Sequence, residues 1–410
     1  MKLKQKLLAS SLAILLSNNS QAFAAGYSTE LYSTSGLANS YAGSAAGIHD
    51  VSDMFFNPAN LTDVKDGEFV LSASYLKLDI NPQGAANSSG AVSGTEVRNA
   101  GSNSVVPAFY VAKRLNDQTT FGLAVTSPFG LKTQYDKNWQ GKERAVASSI
   151  TTININPSLA YKIDDQFSIG AGFQAQYYSA SLTSQNFVGT YEQGKVKGDD
   201  WGYGFNLGAK YKVNDKLKFG IGYRSKVGHS ISGSEQVQSY GYSDIQAKTS
   251  TPESLTAGVA YKLNQDVELA YDLTWTRWSR LKSLTVNAVQ NQNLSTTTNF
   301  NWHNSLLHSV GANFTIDDKW LLRTGLAYEK EAITDANREA RVPASDKVWT
   351  SIGFNYKFTD SFSMDATYMH QFYRKAASRL NNSAPFTDNS LYVHYKTKVD
   401  VISLALRKEF

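Results

Sequence analysis

"QFSIGAGFQAQYYS", residues 166–179, alternates along its whole length. Phe167, Ile169, Ala171, Phe173, Ala175 and Tyr177 fall on one side. Ser168, Gly170, Gly172, Gln174, Gln176 and Tyr178 fall on the other. A period of two is the signature of a β-strand with unlike faces. The same pattern recurs in "KLKFGIGYRSKV" (216–227), where Leu217, Phe219, Ile221 and Tyr223 oppose Lys218, Gly220, Gly222, Arg224 and Lys226. It recurs again in "KVWTSIGFNYKF" (347–358), where Val348, Ile352, Phe354 and Phe358 oppose Trp349, Ser351, Gly353, Asn355 and Lys357. Two environments satisfy such strands. A soluble β-sandwich or β-helix turns the apolar face inward, and a membrane barrel turns it out to lipid around a polar lumen.

Punctuation between the strands separates these options. Six short polar clusters recur every 42 to 53 residues: "LNDQ" at 115, "IDDQ" at 163, "VNDK" at 213, "LNQD" at 263, "IDDK" at 316 and "FTDS" at 358. Each is a tight-turn signal of Asn and Asp. Longer Asn-, Ser- and Gly-rich stretches lie midway between them, at 81–103, 184–200, 235–249, 284–300 and 376–390. Short turns at one end and long loops at the other are the asymmetry of an outer-membrane barrel. The last strand, "VISLALRKEF" (401–410), carries Ile402, Leu404, Leu406 and the terminal Phe410 on one side, interrupted by Lys408. Six internal turns, with both chain ends on the same side, require fourteen strands. The expectation is an all-β, 14-stranded antiparallel transmembrane barrel. Its strands are placed at 67–80, 104–115, 119–136, 146–163, 166–183, 201–213, 217–234, 250–263, 266–279, 301–316, 319–331, 345–358, 361–375 and 391–410.

Composition agrees. "MKLKQK" followed by "LLASSLAILL" and Ala22-Phe23-Ala24 reads as a secretory signal peptide over 1–24. Its removal takes three lysines with it and leaves 37 basic against 35 acidic residues, so the net charge of +5 gives no case for nucleic-acid binding. There is no cysteine, so an exported chain does without disulfides. A mean hydropathy of −0.35 leaves no room for a membrane-spanning helix after the leader. Residues 25–66 are rich in small residues and lack a strand pattern, so they dangle in the periplasm or fold into the lumen as a plug. Glycines on the inward faces, Gly170, Gly172, Gly220, Gly222, Gly325 and Gly353, would admit a plug, or they merely relieve crowding between strands. Within that leading segment, "DMFFNPANLT" (53–62) joins Phe55 and Phe56 to the turn-forming pair Asn57 and Pro58, followed by Ala59.

Taken in order, "AGYSTELYSTSGLANSYAG" (25–43), "FFNPANLT", "FGLAVTSPFGLKTQY" (121–135), "WGYGFNLGAKYKVNDKLKFGIGYRSKV" (201–227), "RTGLAYEKEA" and "TYMHQ" resemble the FadL family of outer-membrane transporters nearly end to end. The resemblance implies passive uptake of long-chain fatty acids or other hydrophobic compounds by a monomer seated among outer-membrane lipid and lipopolysaccharide. It implies a barrel over 67–410 and an N-terminal hatch that plugs it. It also implies a kinked third strand, here Ser127, Pro128, Phe129 and Gly130, that opens a hole in the wall. Phe55 and Phe56 would pack under that kink, and Asn57-Pro58 would turn the hatch there.

A carboxylate head group would need a partner in the lumen, for which the inward basic candidates are Arg224, Lys226 and Arg323. Those same groups could instead pair with acids such as Asp272, Glu329 or Asp365. The loop at 184–200 is short, and "SASLTSQ" (179–185) offers no basic residue, so an uncharged aromatic ligand stays open. A general porin or an adhesin is the other alternative. An enzyme is disfavoured, since His49, His229, His303, His308, His370 and His394 are scattered and sit in no hydrolase or metal-ligand motif. No cofactor site is apparent.

Overall fold

The computed structural model describes residues 26–86, 94–188, 190–381 and 390–410. The expected signal peptide lies outside them. Among the described residues twenty strand segments form one antiparallel sheet that closes on itself. In chain order they are β1 Gly67–Ala86, β2 Ser104–Arg114, β3 Thr119–Thr126, β4 Gly130–Gln134, β5 Ala147–Lys162, β6 Phe167–Val188, β7 Thr190–Lys212, β8 Leu217–Arg224, β9 Val227–Val237 and β10 Gly241–Thr251. There follow β11 Ser254–Lys262, β12 Val267–Thr276, β13 Ser283–Ala288, β14 Thr296–Asn299, β15 Ser305–Thr315, β16 Trp320–Lys330, β17 Lys347–Thr359, β18 Phe362–Tyr373, β19 Ala376–Leu380 and β20 Leu391–Glu409. Six interrupted passes (β3 with β4, β8 with β9, β10 with β11, β12 with β13, β14 with β15, β18 with β19) reduce these to fourteen crossings of the wall. The ring shuts where β1 pairs with β20, from Glu68–Glu409 to Ala86–Tyr392.

The two faces separate as the alternation requires. On β6, Phe173 is 50% exposed to the outside while Gln174 is 2% exposed within. Ile402, Leu404, Leu406 and Phe410 all face outward. The six tight turns share one device. A side-chain oxygen of Asn116, Asp164, Asn214, Asn264, Asp317 or Thr359 accepts the backbone N–H two residues on. In the first five it also accepts the N–H three residues on. These local bonds hold a reversal that needs no long-range contact.

At the other end two expected loops prove to be sheet. β6 runs to Val188 and β7 resumes at Thr190, so 184–200 is mostly paired ribbon. β9 and β10 likewise extend into 235–249 and are joined at Val237–Gly241. Alternation of polar residues there masks the strands, because both faces are wet. The expected continuous strand at 250–263 is broken at Pro252, and that at 217–234 is broken after Arg224.

Residues 26–66 precede β1 and are mostly buried. They touch the wall on all sides. Asn39 Nδ2 donates to the carbonyls of Ala312 and Thr324, Ser40 Oγ meets Ser351 Oγ, and Thr34 Oγ1 meets Ser403 Oγ. Asp272 accepts the N–H groups of Gly43 and Ala45, each at 2.8 Å. Side-chain caps punctuate the segment, since it is too short of apolar periodicity to form long helices. Ser33 caps the single turn of α1 (Thr34–Ala38), and Asp50 and Asn57 cap 3₁₀ turns at Val51–Phe55 and Pro58–Asp63. At two wall glycines the approach is closest. A Cβ at Gly220 would stand 1.8 Å from the Ala45 carbonyl oxygen, and one at Gly222 would stand 1.8 Å from that of Phe56.

One of the inward basic residues is already paired. Arg323 on β16 binds Asp365 on β18, and Asn355 also donates to Asp365 at 2.9 Å. Truncating one member of a buried pair strands the other charge. Arg323→Met should therefore cost about 3–5 kcal/mol, and Arg323→Met/Asp365→Leu should recover most of it. Urea unfolding of the protein in lipid vesicles measures both. A cost no larger than that of a surface substitution would refute the assignment.

Candidate functional site

The third crossing is discontinuous. Thr126 pairs with Asn154 and Gly130 pairs with Thr151, so residues 127–129 oppose only 152 and 153. One extra residue has been inserted, which is a β-bulge. On its other side the ladder fails for longer. β2 pairs with β3 only from Phe109–Val125 to Arg114–Thr120, and among the described residues β4 pairs with β5 but not with β2. Ser104–Ala108 thus meet β1 on one edge and leave the other edge without a strand. Prolines lie on both borders of this gap, Pro107 and Pro128, and neither has an N–H to offer.

The bulge's backbone groups are not left bare. Thr152 Oγ1 donates to the Phe129 carbonyl at 2.7 Å and accepts the Phe129 N–H. The leading segment supplies the rest. Thr29 N–H donates to the Pro128 carbonyl at 3.0 Å, Gly130 N–H donates to the Tyr27 carbonyl at 2.7 Å, and Thr29 Oγ1 donates to the Ser127 carbonyl. Residues 27–29 therefore act as a short surrogate strand. The Tyr27 ring packs edge-on against Phe129 and Trp278, with Trp302 beside it.

A cavity of about 80 Å³ adjoins the bulge, lined by Pro128, Phe129, Phe55, Phe56, Arg224 and Trp278 among others. Phe55 stacks on Tyr32 with ring centres 4.1 Å apart, and the Arg224 guanidinium lies over its other neighbourhood, 4.1 Å from the ring centre. Arg224 donates to the Phe55 carbonyl and to Asn156 through Nη1, and to Asn154 and Gln174 through Nη2. Every one of these acceptors is neutral. Gly172 leaves room for this network, since a Cβ there would meet Ser158 and Asn206.

The other side of the cavity is acidic. Glu30 and Glu329 line it, and Lys347 contacts Glu329 at 2.5 Å and Glu30 at 3.8 Å. Glu331 accepts the Gly26 N–H at 3.0 Å. Burial, with Glu329 nearby, raises the pKa of Glu30, although Lys347 opposes this. Burial pushes that of Glu331 up to about 7. Both groups are thereby drawn toward the neutral carboxyl that a dry site favours.

The sequence-derived residues divide accordingly. Phe55 and Phe56 line the cavity, whereas Asn57 and Pro58 turn against β7. Asn57 Nδ2 donates to the Ala45 and Ala209 carbonyls, and Ala59 N–H is capped by Asn57 Oδ1. The ring directly under the kink is Tyr27. Of the basic residues, Arg224 enters the cavity, Arg323 is consumed by Asp365, and Lys226 is exposed. The break between β8 and β9 resets the alternation, so Lys226 turns away while Ser225 and Val227 turn in. Tyr27, Thr29, Pro107 and Thr152 were not singled out from sequence. Pro107, inside a β-type run, was the one legible signal of a broken edge.

Comparison with known proteins agrees with this geometry. A family model described as "Outer membrane protein transport protein (OMPP1/FadL/TodX)" matches residues 15–410. The chain belongs to this family. It is an outer-membrane protein of a transporter family, not an enzyme. This FadL-family chain is 25% identical over 405 residues to the long-chain fatty acid transport protein of Escherichia coli K12, covering 86% of this chain and 89% of that one. It is 28% identical over 418 residues to outer membrane protein P1 of Haemophilus influenzae, covering 90% of each. Among solved structures, a Pseudomonas aeruginosa FadL homologue shares the fold with a TM-score of 0.86 at 24% identity, covering 94% of this chain and all of that one. The Pseudomonas putida toluene transporter TodX superposes with a TM-score of 0.71 at 16% identity, covering 93% and 99%.

Proposed function

We propose that this FadL-family protein takes up long-chain fatty acids, holds the carboxylate at Arg224, and releases the acid sideways through the gap between β2 and β4. The supporting observation is the state of Arg224: a buried guanidinium in the cavity wall whose hydrogen bonds all go to neutral acceptors. Arg323 and Lys347, by contrast, already contact carboxylates. A dry cation without a counter-ion is a natural receptor for an anionic head group, and the guanidinium fork fits a carboxylate.

Lateral release follows from the ligand's own chemistry. Each CH₂ handed to water costs about 0.8 kcal/mol. A wall opening passes the chain from cavity to bilayer without that step. The cavity, at about 80 Å³, is smaller than the roughly 300–1,000 Å³ of ordinary ligand sites. Occupation therefore requires the rings of Tyr27, Tyr32 or Phe55 to move, and the three backbone and side-chain bonds at residues 27–29 are the restraint that gives way.

Arg224→Met should weaken oleate binding about 10- to 100-fold, the loss of one charge-assisted hydrogen-bonded pair, and leave toluene binding within about twofold. Competition against a fluorescent fatty acid in detergent measures the first, and cell uptake of labelled oleate and toluene with and without the gene measures both. Unchanged oleate affinity would reject the head-group role. An uncharged aromatic ligand, gripped by the Tyr27–Phe129–Trp278 ring cluster, would then be the reading that stands.

A further inference from the structure

Beside Arg224 the cavity wall has an apolar side, where the Phe55 ring lies, and a polar side made by the barrel strands. Three neighbouring strands set two rows across it. Arg224 on β8 pairs with Ser254 on β11, which pairs with Thr276 on β12. One step along, Gly222 pairs with Thr256, which pairs with Thr274. All six line the cavity, and Thr251 joins them from β10. Neighbours in such a row stand about 5 Å apart, so a ladder of hydroxyls starts next to the guanidinium and leads away from it.

These hydroxyls are only partly spent on one another. Thr256 Oγ1 and Thr274 Oγ1 lie 2.9 Å apart. Of their two O–H hydrogens one bridges the pair, so a donor and several lone pairs remain for the cavity. Thr251 donates to Gln176 Oε1 at 3.1 Å, and Gln174 is engaged by Arg224 and by the Phe205 carbonyl. Valine would fill the same volume as threonine on these strands and would suit a saturated chain better. A plain hydrocarbon sliding over the ladder would strip its water and return no hydrogen bond.

We infer that the acid this site takes carries a hydroxyl group on its chain, read by the Ser254, Thr256, Thr274 and Thr276 ladder beside Arg224. The inference rests on the fatty-acid reading above and narrows its substrate class to hydroxylated long-chain acids. Discrimination of this kind is strong because the site's polar groups go unpaired when the ligand lacks its hydroxyl.

The test uses three probes of one length: octadecanoate, 3-hydroxyoctadecanoate and 10-hydroxyoctadecanoate. Each competes against a fluorescent fatty acid on the purified full-length protein. At least one hydroxy acid should bind about tenfold more tightly than octadecanoate. In Thr256→Val/Thr274→Val that ratio should fall to about one, and in Thr256→Ser/Thr274→Ser it should persist. Removing both members of the bonded pair avoids leaving an orphan, and the heat-dependent gel mobility of a folded barrel shows that each variant is intact. Equal affinities in the parent protein, or a ratio untouched by the valine pair, would overturn the inference and leave fatty-acid transport standing. Failure of all three acids to bind would overturn the fatty-acid reading along with it.

Discussion

A Gly222→Val barrel will fold, insert and pass ions in steps typical of an open pore, where the parent protein stays closed. The wall itself tolerates the change. Gly222 sits inside β8 between Gly208 and Thr256, and valine is at home in a strand. What it cannot coexist with is the Phe56 carbonyl, 1.8 Å from the position of the new Cβ. A backbone carbonyl cannot swing aside as a flexible side chain would. Its neighbour Asn57 is tied on both sides, to the Ala45 and Ala209 carbonyls. The leading segment must therefore lift from the β7–β8 wall as a unit. Gly220→Val, which meets the Ala45 carbonyl, should act in the same way. Planar-bilayer conductance is the readout, with a protein lacking residues 27–64 as the open reference. A tight, non-conducting Gly222→Val barrel would mean that these glycines do not seat a plug.

The second large effect is the opposite one, a loss of uptake without leak. Deleting Pro128 removes the extra residue of the bulge, so that β3 and β4 run on in a single register against β5. The straightened strand then has a free edge facing Ser104–Ala108, the part of β2 that lacks a second partner. In lipid, unpaired backbone groups on adjacent edges are driven to join. The gap should zip shut, and oleate uptake should fall to that of cells lacking the gene. Conductance should stay low, because Asn57 and the β7–β8 glycines lie away from the deletion. Normal uptake through a straightened third strand would exclude the sideways route.

Strand pattern and turn chemistry made the barrel readable from sequence. An outward Phe173 beside an inward Gln174 needs only the alternation rule, and Asn116 or Asp164 at a turn needs only its own neighbours. Local signals carry local structure. The site was harder because it is assembled from residues far apart in the chain. Arg224 reads as one of three equal candidates, and it differs from Arg323 only because Asp365 arrives from another strand to occupy the latter. Lys226 shows how one broken alternation misleads: no propensity marks the interruption after Arg224, yet every parity assignment past it changes sign. Tyr27 and Thr29 were illegible for another reason. Their role is to complete a ladder a hundred residues away, and that requires knowing that the ladder is incomplete.

The ring formed when β20 meets β1 has no ends, and it surrounds forty residues that were made before any of it. A disc of that girth, held by bonds to strands around the circumference, cannot be slipped in sideways through a finished wall. The segment meets least hindrance while the seam is still open, so the cylinder should roll up around it, with residues 26–66 walled in by the last strand. Any factor that hastens the closing seam ahead of that docking would yield a well-formed but hollow tube.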